Sequence, residues 1–238
     1  MSNSFSIVIP AYKEEKTIEN TLKGILTKFR ENNFDFEVIT VIDQAPNDKT
    51  LEIVTLLSKT YNEIQIISRE GKLGVASAIK EGIQKASKSV TIIVMGDSSE
   101  NPNDLINMAT KMNEGYDMVF ANRFLTNLYF KNYPKKKYVV NRLCNFAVKT
   151  LFGINSKDIT NAVKAYKTQI LKNMNIKSTG FEIFVELPIK AYVNGYKNFA
   201  EISSSHDAGD PASSNFRITK EGPRYIKIIL SCLGNKKS

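Results

Sequence analysis

Apolar and polar positions along the first half of the chain switch between two periods. Short runs rich in Val and Ile (SIVIP, FEVITVI, IQIIS, VTIIVM) stop abruptly at carboxylates and turn formers. Such runs read as strands buried on both faces of a sheet, and they predict strands over 5–10, 36–42, 64–68, 90–95 and 116–121. Between them apolar residues return at helical spacing. Ile18, Leu22, Ile25, Leu26 and Phe29 predict a helix over 17–30, and Val75, Ala78, Ile79, Gly82, Ile83 and Ala86 line one stripe of another. Further helices are predicted over 49–61 and, opening after Pro102, over 103–113. This alternation predicts an α/β fold with a mostly parallel, doubly wound sheet.

After Arg123 the rhythm fails. Residues 127–137 are aromatic, basic and broken by Pro134, and an amphipathic helical pattern then runs from Tyr138 to Phe152. A short strand at 164–166, a helix over 181–192 and a last strand over 198–203 complete the pattern. The Ser, Gly, Asp and Pro content of 203–214 predicts a mobile loop, a candidate lid. We expect one domain over 1–238, with a regular first half (1–123) and a C-terminal elaboration (124–238).

The carboxylates at the strand ends carry the first functional signal. Glu14, Asp43, and Asp97 with Glu100 each follow an apolar run, so three strands deliver acid to one sheet edge. Ligands of open parallel sheets bind beyond the carboxyl ends of the strands, and acids gathered there suit a divalent cation carrying a phosphorylated substrate. A nucleotide-using enzyme is the reading that follows. Each acid also has a local explanation: Glu14 favours the first turn of a helix, Asp43 a turn, and the DSSENP segment a helix start.

Composition narrows the setting. With 33 basic and 24 acidic residues the net charge is +9, which suits nucleic acid, anionic lipid or phosphorylated substrates. No nucleic-acid motif accompanies the charge, and a nucleic-acid partner is not expected. Two distant cysteines, Cys144 and Cys232, predict a reduced compartment. No apolar run reaches the roughly 20 residues of a membrane span, and the start shows no secretory leader, so we expect a cytoplasmic protein. The Gly71 to Gly74 segment has neither Walker nor dinucleotide-binding spacing. The sole histidine, His206, reads as solvated.

Taken in order, IPAYKEE, VIDQAPNDKT, GKLGVASAIKEGIQKA, MGDSSENP, ANRF, KDITNAVKAYK, GFEIFVELPIKAYVNGY and SNFRITKEGPRYIKIIL resemble the family-2 inverting glycosyltransferases of GT-A fold, within them the dolichyl-phosphate mannosyltransferase-like branch. The resemblance covers nearly the whole chain. It implies that Pro10, Ala11, Tyr12, Glu14, Asp43 and Lys72 bind the nucleotide of a nucleotide diphosphate sugar donor. It also implies Mg²⁺ or Mn²⁺ as cofactor. Two departures stand out: Gln44 replaces the second acid of the usual Asp-Asp pair, and the usual Asp-x-Asp is here Gly96-Asp97-Ser98-Ser99-Glu100. Asp97 is expected as the principal metal ligand and Glu100 as the second, since Mg²⁺ accepts one or two carboxylates beside phosphates and water.

On the acceptor side the resemblance places Arg123 near the phosphates, Asp158 at the branch's DxT-like position as the candidate base, and Glu186, Arg217 and Arg224 against the acceptor. The acceptor is expected to be a polyprenyl phosphate, which needs little deprotonation. Transfer to the hydroxyl of a glycan in cell-surface polysaccharide synthesis is the alternative within enzymes, and a catalytically silent nucleotide-sugar binding subunit the alternative outside them. The basic, aromatic stretch from Tyr129 to Leu151 has two readings: a helix lying on an anionic membrane, at about 1 kcal/mol per basic side chain, or a helix packed on the sheet with a solvated basic face.

Overall fold

Strands β1 (Phe5–Ala11) and β2 (Phe36–Asp43) bury every residue, which is why their sequences carry so little alternation. A computed structural model describes residues 3–125, 135–204 and 218–234. It completes the sheet with β3 (Ile64–Arg69), β4 (Val90–Ile93), β5 (Met118–Asn122), β6 (Lys164–Lys167) and β7 (Phe199–Ser203). The seven strands run in the order β3-β2-β1-β4-β6-β5-β7. All pairs are parallel except those of β6, which is antiparallel to both β4 and β5. Strands from both halves of the chain therefore share one sheet.

This topology positions the site. The carboxyl ends of β1 to β5 all reach one edge, and β6 enters from that edge, with Lys164 level with Ile93 and Phe120. The segments after β1, β2, β3, β4 and β5, and the one before β6, meet there.

Helices α1 (Ile18–Glu31) and α4 (Pro102–Asn113) cover one face, over Phe5, Ile7 and Ile9. On the other, α3 (Val75–Lys85) packs on β1 and β2, while α2 (Thr50–Ser58) lies beside α1 on the first face and flanks β3. A second core joins Ile93, Phe120 and Tyr166 to α5 (Lys135–Phe152), α6 (Thr168–Lys172), α7 (Ile183–Val193) and α8 (Ile218–Leu233). Asn101 caps α4 by accepting from the Asn103 N–H at 3.0 Å, with Pro102 at the first helical position.

Several elements differ from expectation: β5 runs Met118–Asn122, α2 ends at Ser58, and α5 begins at Lys135. β4 ends at Ile93, two residues early; Val94 still donates to the Val8 carbonyl at 3.1 Å before the chain enters the loop that carries Asp97. α6 is too short to show a period, and α8 is hidden in sequence by Gly222 and Pro223. Most of the expected loop at 203–214, with His206, lies outside the described residues, as do residues 126–134 of the basic stretch.

Gly82 sets how closely α3 approaches the sheet: a Cβ there would lie 2.3 Å from Val8 Cγ1 in β1. Gly82→Ala should therefore cost about 1–2 kcal/mol despite the better helix propensity of Ala. A fall of about 2–8 °C in thermal midpoint is the expected readout, and an unchanged or raised midpoint would show that α3 simply slides outward.

Candidate active site

The Asp43 carboxylate at the end of β2 is 3% exposed and serves the loop after β3. One oxygen accepts the backbone N–H groups of Leu73 and Gly74 at 2.9 and 2.8 Å, and the other pairs with the Arg69 guanidinium. Gly74 has φ +95°, a conformation that favours glycine, so the turn is set by both the missing Cβ and the carboxylate. The loop so held carries Lys72, whose Nζ lies 4.4 Å from the Tyr12 ring centre. Tyr12 and Lys72 are thus brought together, and Pro10 and Ala11, which precede Tyr12 in β1, are buried. Beside them a pocket of about 300 Å³ is lined by Ile42, Gln44, Ala45, Asp48, Leu51 and Glu52.

The loop after β4 is clamped by the first turn of α1. Thr17 and Thr21 donate to the Gly96 carbonyl at 2.9 and 3.3 Å, and Ser98, at φ +55°, donates to the Thr17 carbonyl at 2.8 Å. The clamp leaves Asp97 exposed, with one oxygen accepting from Ser99 N and Oγ at 3.1 and 2.6 Å. Glu14 lies across the same space. Burial is the main cause that lifts its pKa to about 7; the Thr17 hydroxyl opposes the rise, and the nearby Asp97 and Asp48 carboxylates add to it.

A half-buried Glu14 facing the Asp97 and Asp48 carboxylates gathers negative charge that a cation relieves, so the residues present fit a divalent ion. Among the described residues no three His, Cys, Asp or Glu side chains are close enough to grip one together. The set suits an ion that keeps water and phosphate in its shell, with Asp97 the exposed ligand and Glu100, half-buried before α4, the nearest in sequence.

The acceptor side is built around a buried ion pair. Asp158, with no exposed surface, accepts from Arg123 N, Nε and Nη2 at 3.0, 2.8 and 2.9 Å and from Asn141 Nδ2 at 2.9 Å. Burial alone would raise its pKa, but the charge and hydrogen bonds of Arg123 outweigh this and hold it below the ordinary value. A carboxylate so saturated is a strut for Arg123 and not an available base. Lys137 stands beside Arg123; burial first, and the Arg123 charge second, lower its pKa.

Glu186, expected against the acceptor, has no exposed surface. It accepts Lys177 and Ser178 N–H at 2.8 and 2.7 Å and pairs with Lys190 at 2.5 Å, so it fixes the turn before α7. Arg224 is half-buried, 3.3 Å from Glu221, and faces Gly180. Arg217 lies outside the described residues. Sequence reasoning missed Asp48, inside VIDQAPNDKT, and Lys137 and Asn141, four residues apart on one face of α5.

It also missed Lys164, buried at the first position of β6 with its Nζ donating to the Asn161 carbonyl. Burial brings its pKa down to about 7; Asp158, Glu201 and Cys144 oppose the fall and Arg123 assists it. An amine that folds preferentially neutral contributes a penalty that is full below pH 7 and is relieved as pH rises toward the unfolded value. Denaturation midpoints should therefore rise between pH 7 and about 8.5, and Lys164→Met should flatten the rise. Parallel profiles for the two proteins would disprove the assignment.

Sheet order, a reversed β6 and acids gathered at the edge where the strands end are the architecture of the GT-A glycosyltransferase fold. The Mycobacterium tuberculosis glucosyl-3-phosphoglycerate synthase, crystallised with Mn²⁺, uridine diphosphate and phosphoglyceric acid, superposes with a TM-score of 0.73 at 17% identity, over 99% of this chain and 80% of that one. The glycosyl transferase family 2 profile matches residues 6–174, and the chain belongs to that family.

Two curated relatives are the dolichol-phosphate mannosyltransferase of Pyrococcus furiosus and the polyprenol monophosphomannose synthase of Mycolicibacterium smegmatis. The first is 24% identical over 189 residues, 78% of this chain and 52% of that protein. The second is 21% identical over 196 residues, 80% and 72% respectively. The chain thus spans about half the length of the P. furiosus relative.

Proposed function

We propose that this glycosyltransferase moves a hexose from a nucleotide diphosphate sugar to a polyprenyl phosphate at the cytoplasmic face of a membrane, with inversion. The observation that carries the reading is the cationic ledge of Arg123 and Lys137, beside the sheet edge that holds Asp97. Asp158 fixes Arg123 and is buried away from solvent, so the ledge offers an anion the charge of Lys137 and the fixed guanidinium edge of Arg123, with no carboxylate base. A phosphate monoester, already anionic at neutral pH, needs that and no base. The names of both curated relatives support the same acceptor class.

On the donor side, Tyr12 and Lys72 would flank the nucleotide, with the Gln44 and Asp48 pocket beside them. Asp97, seconded by Glu100, would hold Mg²⁺ or Mn²⁺, which when bound supplies Lewis-acid stabilisation of the charge on the departing diphosphate. An acceptor phosphate oxygen forms a bond to the sugar's anomeric carbon as the bond to the donor diphosphate breaks on the opposite face. Arg123 and Lys137 orient that oxygen.

Incubation with labelled nucleotide sugars and Mg²⁺ or Mn²⁺ tests the reading, with a short-chain polyprenyl phosphate, the matching polyprenol and a saccharide as parallel acceptors. Product with the phosphate alone is expected. Product only with the saccharide, or none with any donor, overturns it.

A further inference from the structure

We propose that the outward faces of α5 and α8 together form a docking surface for an anionic lipid bilayer; the inference rests on the lipid-phosphate reading and names the surface that reading requires. Helix α5 exposes Val139, Leu143 and Phe146, at 54%, 62% and 69%. Their spacing, four and then three residues, puts them on one stripe. Helix α8 touches α5 and exposes Ile226 and Leu230, 62% and 58%, one turn apart. These are five of the eight large apolar side chains exposed among the described residues. Each helix already has a core face, Val148 and Phe152 for α5 and Ile228, Ile229 and Cys232 for α8, so the outward stripes are additional to what packing within the chain needs.

Charge selects the occupant. Helix α5 contains no acidic residue. Helix α8 contains one, Glu221, which is buried and paired with Arg224. The exposed charges among the stripes are Lys136, Lys149 and Lys227. An apolar face whose two helices expose only positive charge among the described residues matches the interfacial region of a membrane rich in acidic lipid, where side chains enter the acyl boundary and lysines stay at the headgroups. A second copy of the chain would set these lysines against one another. No described helix is long and apolar enough to cross a membrane, and the contact proposed is with the bilayer surface. Lys137 is on α5 itself, on the inner face it shares with Asn141 and roughly opposite the apolar stripe, so docking would hold this half of the molecule at the membrane with the ledge on the side of α5 away from the bilayer.

The test is co-sedimentation of the full chain with vesicles of phosphatidylglycerol and phosphatidylcholine, against phosphatidylcholine alone. Binding to the anionic vesicles, weakened by salt, is expected. Leu143→Gln with Phe146→Gln should lower it tenfold or more, and Lys149→Gln or Lys227→Gln by about fivefold each. All four positions are exposed, and transfer to a short-chain acceptor in solution should stay within about twofold for every variant, which shows that the fold is intact. The docking surface is disproved if the chain ignores anionic vesicles, binds neutral ones equally, or binds undiminished after the substitutions. A dimer that Phe146→Gln dissociates, without vesicle binding, disproves it in favour of a second copy. Vesicle binding that follows the prediction while no polyprenyl phosphate is turned over sinks the acceptor assignment and leaves the surface standing.

Discussion

Asp97→Asn should lower the rate of hexose transfer by about 10²–10³-fold, the scale seen when one preorganised group facing developing charge is removed. Asn keeps an oxygen for the 3.1 and 2.6 Å bonds from Ser99, so the loop geometry survives and only the negative charge is lost. Because Asp97 is exposed and holds no distant element, the thermal midpoint should move by no more than about 2 °C. Loss of activity without loss of fold separates a role at the diphosphate from a role in the loop. Raising Mn²⁺ should recover part of the rate in the variant, since one ligand of a weakly held ion has been replaced by a neutral one. Titration of nucleotide binding with and without Mn²⁺ completes the test: if Asp97→Asn leaves both the rate and the metal dependence as they were, the ion is held elsewhere and the assignment fails.

The donor half was legible because each of its strands is buried on both faces and ends where its chemistry begins. Phe36 to Asp43 could be read as a strand delivering a carboxylate, and it is one. What the sequence could not show is that this carboxylate would be spent on Arg69, Leu73 and Gly74, because those partners come from the far side of β3 and depend on the tertiary register. The same limit applies to Glu14, whose raised pKa comes from burial and from acids two loops away. In the second half a central antiparallel strand, four residues long, looks no different from a parallel edge strand, so the reversal of β6 left no local mark. Helix α8 did leave one. Tyr225, Ile228, Ile229 and Cys232 recur at helical spacing, but Gly222 and Pro223 at its start disguise a helix that packing against α7 stabilises.

The Arg123 and Asp158 pair carries the second large effect. Arg123→Ala leaves a carboxylate with no exposed surface, answered by the backbone N–H of position 123 and by Asn141 but by no paired charge, a situation that costs about 3–5 kcal/mol. For a chain of 238 residues that is a fall of about 6–20 °C in thermal midpoint. The pH dependence identifies the cause. In the native protein Asp158 sits below its ordinary pKa, so its contribution is present above the ordinary carboxylate range and is lost as the solution is acidified below it. Without Arg123 burial dominates and the pKa rises, so the sign reverses: the deficit of Arg123→Ala should narrow at acid pH, where the carboxyl is neutral in both states, and widen toward neutrality. Arg123→Met combined with Asp158→Leu should recover much of the stability, because no charge is left buried alone, yet transfer should remain abolished, because the anion ledge has lost its fixed cation. A single substitution that leaves the midpoint within about 2 °C of the native protein, with no change in its acid limb, would mean that Asp158 does not depend on Arg123. The ledge would then have no strut, and the argument from geometry to a phosphate acceptor would lose its foundation.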